Sequence, residues 1–194
     1  EWIVRAMGPR RSMLLRRRNA LGFTPIAGTE GGAAPFFSPD GTRIGYFAEN
    51  RLMAIPLAGG PSEMIADSLS GLDAAYWGSD GYVYRSLLES GAMTIGRALP
   101  KAGAPLEEVT ALDSAAGEHV HLFPELLPDG DKLLFHVQMR DGRRMIAVGD
   151  LASRRHTILV EGIRAHFVPG GHLLYSTSDG RLWVAPFDPD APAL

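Results

Sequence analysis

A four-residue turn returns four times along the chain, and its spacing limits the available folds more than any other feature. The copies are Ser38-Pro39-Asp40-Gly41, Gly78-Ser79-Asp80-Gly81, Leu127-Pro128-Asp129-Gly130 and Val168-Pro169-Gly170-Gly171. Measured between their second residues, the intervals are 40, 49 and 41 residues. Repetition at roughly 40–45 residues marks the blades of a β-propeller, each a four-stranded antiparallel meander. The predicted fold class is all-β, with antiparallel four-stranded blades forming a partial propeller of about four units.

The first unit shows how the pattern works. Pro35-Phe36-Phe37 enters, Pro39-Asp40-Gly41 turns, and Arg43 to Phe47 forms the next strand. Glu49-Asn50 and Gly59-Gly60 then separate Leu52–Leu57 from Ser62–Ala66. Asp-Gly and Gly-Gly between strand-like runs are hairpin signals, because glycine accepts positive φ without a steric penalty. Units are expected to start near residues 35, 74, 121 and 164, within a propeller region spanning 12–194. The fourth ends before an outermost strand. Met13–Arg16 and Phe23–Ile26 read as the last two strands of a preceding blade, and Leu112–Val120 as a loop between blades. Phe37, Trp77, Leu126 and Phe167 are expected to pack between blades together with Ile44, Tyr84, Leu134 and Leu174.

Charge is divided unevenly. Residues 1–18 carry six arginines against Glu1, a local balance of +5, so the remainder sums to -8 within a total of -3. Residues 1–11 read as a basic arm or linker. The acidic body would repel phosphate, which argues against nucleic acid as a partner. No run of about 18 apolar residues is present to span a membrane, so any membrane association is expected to be a tether. There are no cysteines, which excludes disulfides and thiolate chemistry. Because the chain opens on Glu1 rather than Met, it is expected to be a segment of something longer.

The segment Thr24–Gly31, the segment Pro35–Gly41 and Pro56-Leu57-Ala58-Gly59-Gly60-Pro61 resemble TolB-like, WD-type propeller repeats. The resemblance continues through Gly117-Glu118-His119, Phe123-Pro124, Leu127–Gly130 and Val168–Tyr175, and covers about Leu14 to Asp188. It is especially similar to the propeller C-terminal to the membrane span of bacterial serine/threonine protein kinases. The resemblance implies a non-catalytic sensor or interaction module in signalling, on the periplasmic or extracytoplasmic side of a bacterial membrane. It implies a protein or small-molecule ligand at the propeller face; separately, the unpaired blade edges of a partial propeller are expected to favour self-association. The alternative is the gating propeller of a prolyl-oligopeptidase-type serine peptidase, whose repeats look similar.

No residue set in the chain reads as catalytic. Kinase His-Arg-Asp and Asp-Phe-Gly motifs are missing, and so is a Gly-x-Ser-x-Gly nucleophile elbow. Asp40, Asp80 and Asp129 each precede a glycine, where a carboxylate caps a turn through nearby backbone N–H groups. His119 and His121, two apart, would share one face of a strand, but two histidines are half a zinc site. No metal and no cofactor is therefore assigned, and the pair is expected in polar loop packing. Aligning the units on their turns superposes Phe36, Tyr76, Glu125 and His166, next to the more apolar register of Phe37, Trp77, Leu126 and Phe167. Equivalent residues of innermost strands converge near a propeller axis, so these four are the candidate binding residues.

Overall fold

The computed structural model describes residues 2–7, 12–67, 75–89 and 91–193, and all regular structure among them is β-strand. Three strands, β1 (Trp2–Met7), β2 (Ser12–Arg17) and β3 (Thr24–Pro25), form the first sheet. The second is a four-stranded meander of β4 (Ala33–Phe37), β5 (Arg43–Ala48), β6 (Arg51–Pro56) and β7 (Glu63–Ala66). Strands β8 (Ala75–Trp77), β9 (Val83–Glu89), β10 (Ala92–Ala98) and β11 (Glu107–Glu108) make the first half of the third sheet, which has eight strands. Then come β12 (Glu118–Leu126), β13 (Lys132–Met139), β14 (Arg144–Asp150) and β15 (His156–Glu161). The last sheet holds β16 (Arg164–Val168), β17 (His172–Ser176) and β18 (Leu182–Pro186). A single parallel pairing of Met93 with Val120 joins β10 to β12.

Apart from that parallel link between β10 and β12, neighbouring strands are consecutive in sequence and pair antiparallel, the pattern tight hairpins dictate. Two turn lengths alternate. Ser38 donates its backbone N–H to Arg43 O at 3.0 Å and Leu127 to Lys132 O at 2.9 Å, whereas Gly78 donates to Tyr82 O at 2.8 Å, one residue sooner. Gly41 and Gly130 sit at φ +67° and +79° in these turns, where a Cβ would be strained. Two of the three expected carboxylates, Asp40 and Asp80, cap their turns: Asp40 Oδ1 accepts from Ser38 Oγ at 2.6 Å and from Thr42 N–H at 3.0 Å. Those bonds, led by the Ser38 hydroxyl, hold Asp40 at about 2. Asp80 likewise accepts from Tyr82 N–H at 3.2 Å and the Tyr84 hydroxyl at 2.7 Å.

The turn lengths correct the expected core. Phe37 pairs with Ile44 and Leu126 with Leu133, but Trp77 pairs with Val83 and Phe167 with Leu173. The equivalent positions are therefore Ile44, Val83, Leu133 and Leu173, each at most 3% exposed. Tyr84 and Leu174, which follow the shorter turns, and Leu134, one residue past Leu133 after a turn of the first length, belong to the opposite strand face, because one residue of register reverses a side chain. Tyr84 and Leu134 are still buried, between neighbouring sheets. Leu174 is half-buried, as are Phe37 and Phe167.

Two further expectations change. The stretch predicted to be an arm or linker contains β1, which pairs with β2 from Trp2↔Arg17 to Met7↔Ser12. Stacking accommodates charge across this pair of strands: the Arg5 guanidinium of β1 lies 3.9 Å from the Phe23 ring centroid, and that of Arg17 on β2 lies 5.0 Å from the Trp2 ring centroid on β1. Glu1, Arg10 and Arg11, and the expected unit start at Ala74, lie outside the described residues. The predicted loop over 112–120 also ends early, since β12 already begins at Glu118.

Candidate functional site

The innermost strands β4, β8, β12 and β16 come together around a depression of about 210 Å³. Ala34, Pro35 and Phe36 line it from β4, Ala75 and Tyr76 from β8, Phe123, Pro124 and Glu125 from β12, and Arg164 and Ala165 from β16. The predicted Phe36, Tyr76 and Glu125 are thus brought together. His166 lines an adjoining depression of about 320 Å³ that shares Glu125, Arg164 and Ala165 with the first. Leu174, Tyr175 and Leu182 form its apolar side.

Glu125 stands on the wall between the two hollows. Its Oε2 lies 2.7 Å from His166 Nδ1, and its Oε1 accepts the Phe167 backbone N–H at 2.9 Å. The carboxylate hydrogen bond raises the His166 pKa above its ordinary value, against partial burial and the nearby Arg164. Burial first, and the Glu125 charge second, push the Tyr76 phenol up. Tyr76 therefore keeps its hydroxyl proton at neutral pH and can act as a hydrogen-bond donor. Arg164, which sequence reasoning missed, places its guanidinium 5.1 Å from the Phe123 ring centroid. The site thus presents one cation, one anion already engaged by protein donors, a phenol and two aromatic rings.

Backbone geometry aims these groups. Ala34 and Phe123 adopt φ of 45° and 52°, and both precede proline, at Pro35 and Pro124. Each lies in a register shift of its inner strand, between Ala33 and Phe36 and between Leu122 and Glu125. A non-glycine residue held in this region costs on the order of 1–3 kcal/mol, and such strain collects at functional sites. The same bulge at the same place in two blades turns Phe36 and Glu125 into the hollow. The Phe123-Pro124 echo of Ala34-Pro35 was the signal that could have exposed Phe123.

Phe36 pairs across the sheet with Gly45, and its ring occupies the space where a Gly45 side chain would start. Gly45→Ala should therefore displace the ring from the hollow and destabilise the chain by about 1–3 kcal/mol, the usual range for overpacking. Denaturant melts of Gly45→Ala, Phe36→Ala and the double variant measure the coupling. Simple additivity would contradict the contact.

The expected histidine pair does not form. A second register shift, between Glu118 and Val120, leaves His119 exposed while His121 is fully buried. His121 instead meets Glu118 on its own strand and His156 on β15. Its Nε2 is 3.2 Å from Glu118 Oε2, and His156 Nε2 is 2.7 Å from Glu118 Oε1. The Asp113 backbone N–H donates to Glu118 Oε2 at 2.7 Å, and His121 Nδ1 is 3.0 Å from Thr110 Oγ1. Burial opposes the charge on Glu118, but the bonds from His121, His156 and Asp113 outweigh it and hold the carboxyl at about 2. Burial pushes the His121 pKa down. His156 had no local signal in the sequence, since its partner Glu118 lies 38 residues away.

No protein-family model matches the chain, and no curated protein matches its sequence. Solved structures do match its fold. TolB from Acinetobacter baumannii superposes with a TM-score of 0.80 at 20% identity, covering 96% of this chain and 48% of that one. A puromycin hydrolase superposes with a TM-score of 0.68 at 15% identity, covering 99% of this chain and 36% of the other. A prolyl endopeptidase structure gives 0.61 at 15% identity, covering 94% and 31%. The chain thus spans about half the length of the TolB structure and about a third of each hydrolase. The fold of this chain is that of a TolB-like β-propeller.

Proposed function

We propose that the chain is a non-catalytic interaction propeller that binds a protein partner at the hollow formed by Phe36, Tyr76, Phe123, Glu125 and Arg164. The observation that carries this reading is the convergence of four inner strands on one concavity, two of them through strained bulges. Volume selects the ligand class. About 210 Å³ is smaller than the roughly 300–1,000 Å³ of small-molecule pockets. It suits one anchoring side chain of a protein, held by aromatic walls and an arginine. The wider setting follows from the sequence resemblance: a receptor-type serine/threonine kinase or a TolB-like periplasmic protein, outside the cytoplasm of a bacterium.

A second reading is the gating propeller of a prolyl-oligopeptidase-type peptidase. Its support is the superposition over nearly the whole chain on the hydrolase structures. The two readings part on the hollow, which a gate would use for passage rather than for retention of a partner.

Selection of a displayed peptide library on the immobilised chain tests the proposal. Enriched peptides should lose roughly tenfold or more in affinity for Tyr76→Ala and for Arg164→Ala, as truncation of an anchor site demands. Thr157→Lys, on the exposed outer strand β15, should leave binding unchanged. Retention by both site variants would overturn the assignment.

A further inference from the structure

We infer that Glu118, His121 and His156 form a binding site for a divalent transition-metal ion of the zinc or cobalt class. Their candidate ligand atoms all lie within 4.8 Å of one another. Glu118 and His121 are 2% and 0% exposed, and the His156 side chain is 9% exposed. Both imidazoles present Nε2 to the same carboxylate, at 3.2 and 2.7 Å. The edge of a tetrahedral zinc site, with bonds of about 2.0–2.1 Å, is about 3.3 Å. The His121–Oε2 separation of 3.2 Å already matches that edge, His156 meets the other carboxylate oxygen at 2.7 Å, and the remaining separations among the ligand atoms, none above 4.8 Å, adjust by at most about 1.5 Å when an ion of that size enters.

The surroundings are those of a supported site. Thr110 Oγ1 holds His121 Nδ1 at 3.0 Å and is itself fixed by the Ile95 backbone N–H at 2.9 Å. Metal-bound histidines are almost always steadied through their second nitrogen in this way. The Phe135 ring packs against both imidazoles, with centroids at 4.7 and 5.4 Å, and walls off one side. Gly149, paired with His156, has no side chain, so Phe135 Cε1 and His156 Cβ both fill the space that a Cβ there would take. That lets a ligand from β15 reach one from β12 across two intervening strands.

Without an ion the same atoms form a closed network. The Thr110 hydroxyl donates to His121 Nδ1, and both Nε2–H groups donate to Glu118. On metal entry each neutral imidazole moves its proton to Nδ1 and offers Nε2 as a lone pair, so no net proton is released. Thr110 then accepts from His121, within the capacity of a hydroxyl oxygen. Two imidazoles and one carboxylate favour zinc-like ions over calcium or magnesium, which prefer all-oxygen sets of six or more ligands. The fourth position is left for water.

The test uses the full chain, stripped with chelator and titrated with zinc chloride. One ion should bind per chain with Kd on the order of 1 µM or tighter. His156→Asn, which keeps an N–H group for Glu118, should weaken binding by roughly 100-fold, while His119→Ala should not change it. Histidine nitrogen NMR on the wild type, which needs no variant, should show Nε2 of His121 and His156 shifting on saturation. Calcium at the same concentration should shift neither. Absence of stoichiometric zinc binding, or shifts confined to the other histidines, overturns the inference.

Discussion

Trp77→Ala should lower the stability of the chain by about 3–5 kcal/mol, the cost of emptying a large aromatic site in a packed core. Trp77 is 8% exposed and sits in a cluster with Phe47, Leu52, Ala54, Ile65 and Val83. Phe36 meets its ring edge-on at 6.5 Å between centroids, and the Arg43 guanidinium lies 5.4 Å from the ring centroid. The cluster joins residues of β4 to β9, so the loss loosens one sheet against the next. Urea unfolding followed by circular dichroism reads the effect as a lower midpoint at an unchanged slope. An unchanged midpoint would contradict the assigned interface between these sheets.

Glu118→Ala should cost a comparable amount, about 3–5 kcal/mol in chelator, because removing one member of a buried charge network strands the others. His121, His156 and the Asp113 N–H would all lose their acceptor. The same residue should govern acid stability. Its carboxyl titrates at about 2 in the folded chain against 4.5 in a free side chain. The unfolded state therefore takes up the proton first. The contribution is complete above about 4.5 and gone below about 2, on the order of 3 kcal/mol in all. His121 and His136, both pushed down mainly by burial, act in the same direction below the free histidine value of 6.5. His166 acts in the opposite direction, adding stability below that value and losing it as pH rises through its raised pKa. Its side chain is 63% exposed, so solvent screening keeps that part small. Stability measured by urea titration in chelator should fall between pH 4.5 and 2 in the wild type, and the step should be clearly smaller in Glu118→Ala, the remainder coming from turn carboxylates such as Asp40 that are also held low. A step of equal size in both would place the acid-labile group elsewhere.

The strand meander was legible because its punctuation is chemical. Asp-Gly and Gly-Gly turns force hairpins, and hairpins in sequence give antiparallel blades. Phe36, Tyr76 and Glu125 were legible for the same reason, since a fixed offset from each turn fixes a strand position. Alternation of turn length was not legible: Ser38 closes on Arg43 but Gly78 on Tyr82, and this one-residue difference moved Tyr84 and Leu174 to the other face. Strand β1 was obscured by the arginines in and around it, two of which place their guanidinium groups over aromatic rings: Arg5 of β1 over Phe23, and Arg17 of β2 over Trp2. Arg164 and His156 enter their clusters through tertiary folding, at positions where the local pattern says nothing about charge or ligation.

The binding assignment rests on the hollow at the inner strands, and hydrogen exchange on the chain with and without a library-selected peptide tests it most directly. Protection should appear at Ala34–Phe36, Ala75–Tyr76, Phe123–Glu125 and Arg164–His166, and it should vanish in Tyr76→Ala. Protection confined to the outer strands β7 and β15, with the inner strands exchanging as in the free chain, would contradict the account.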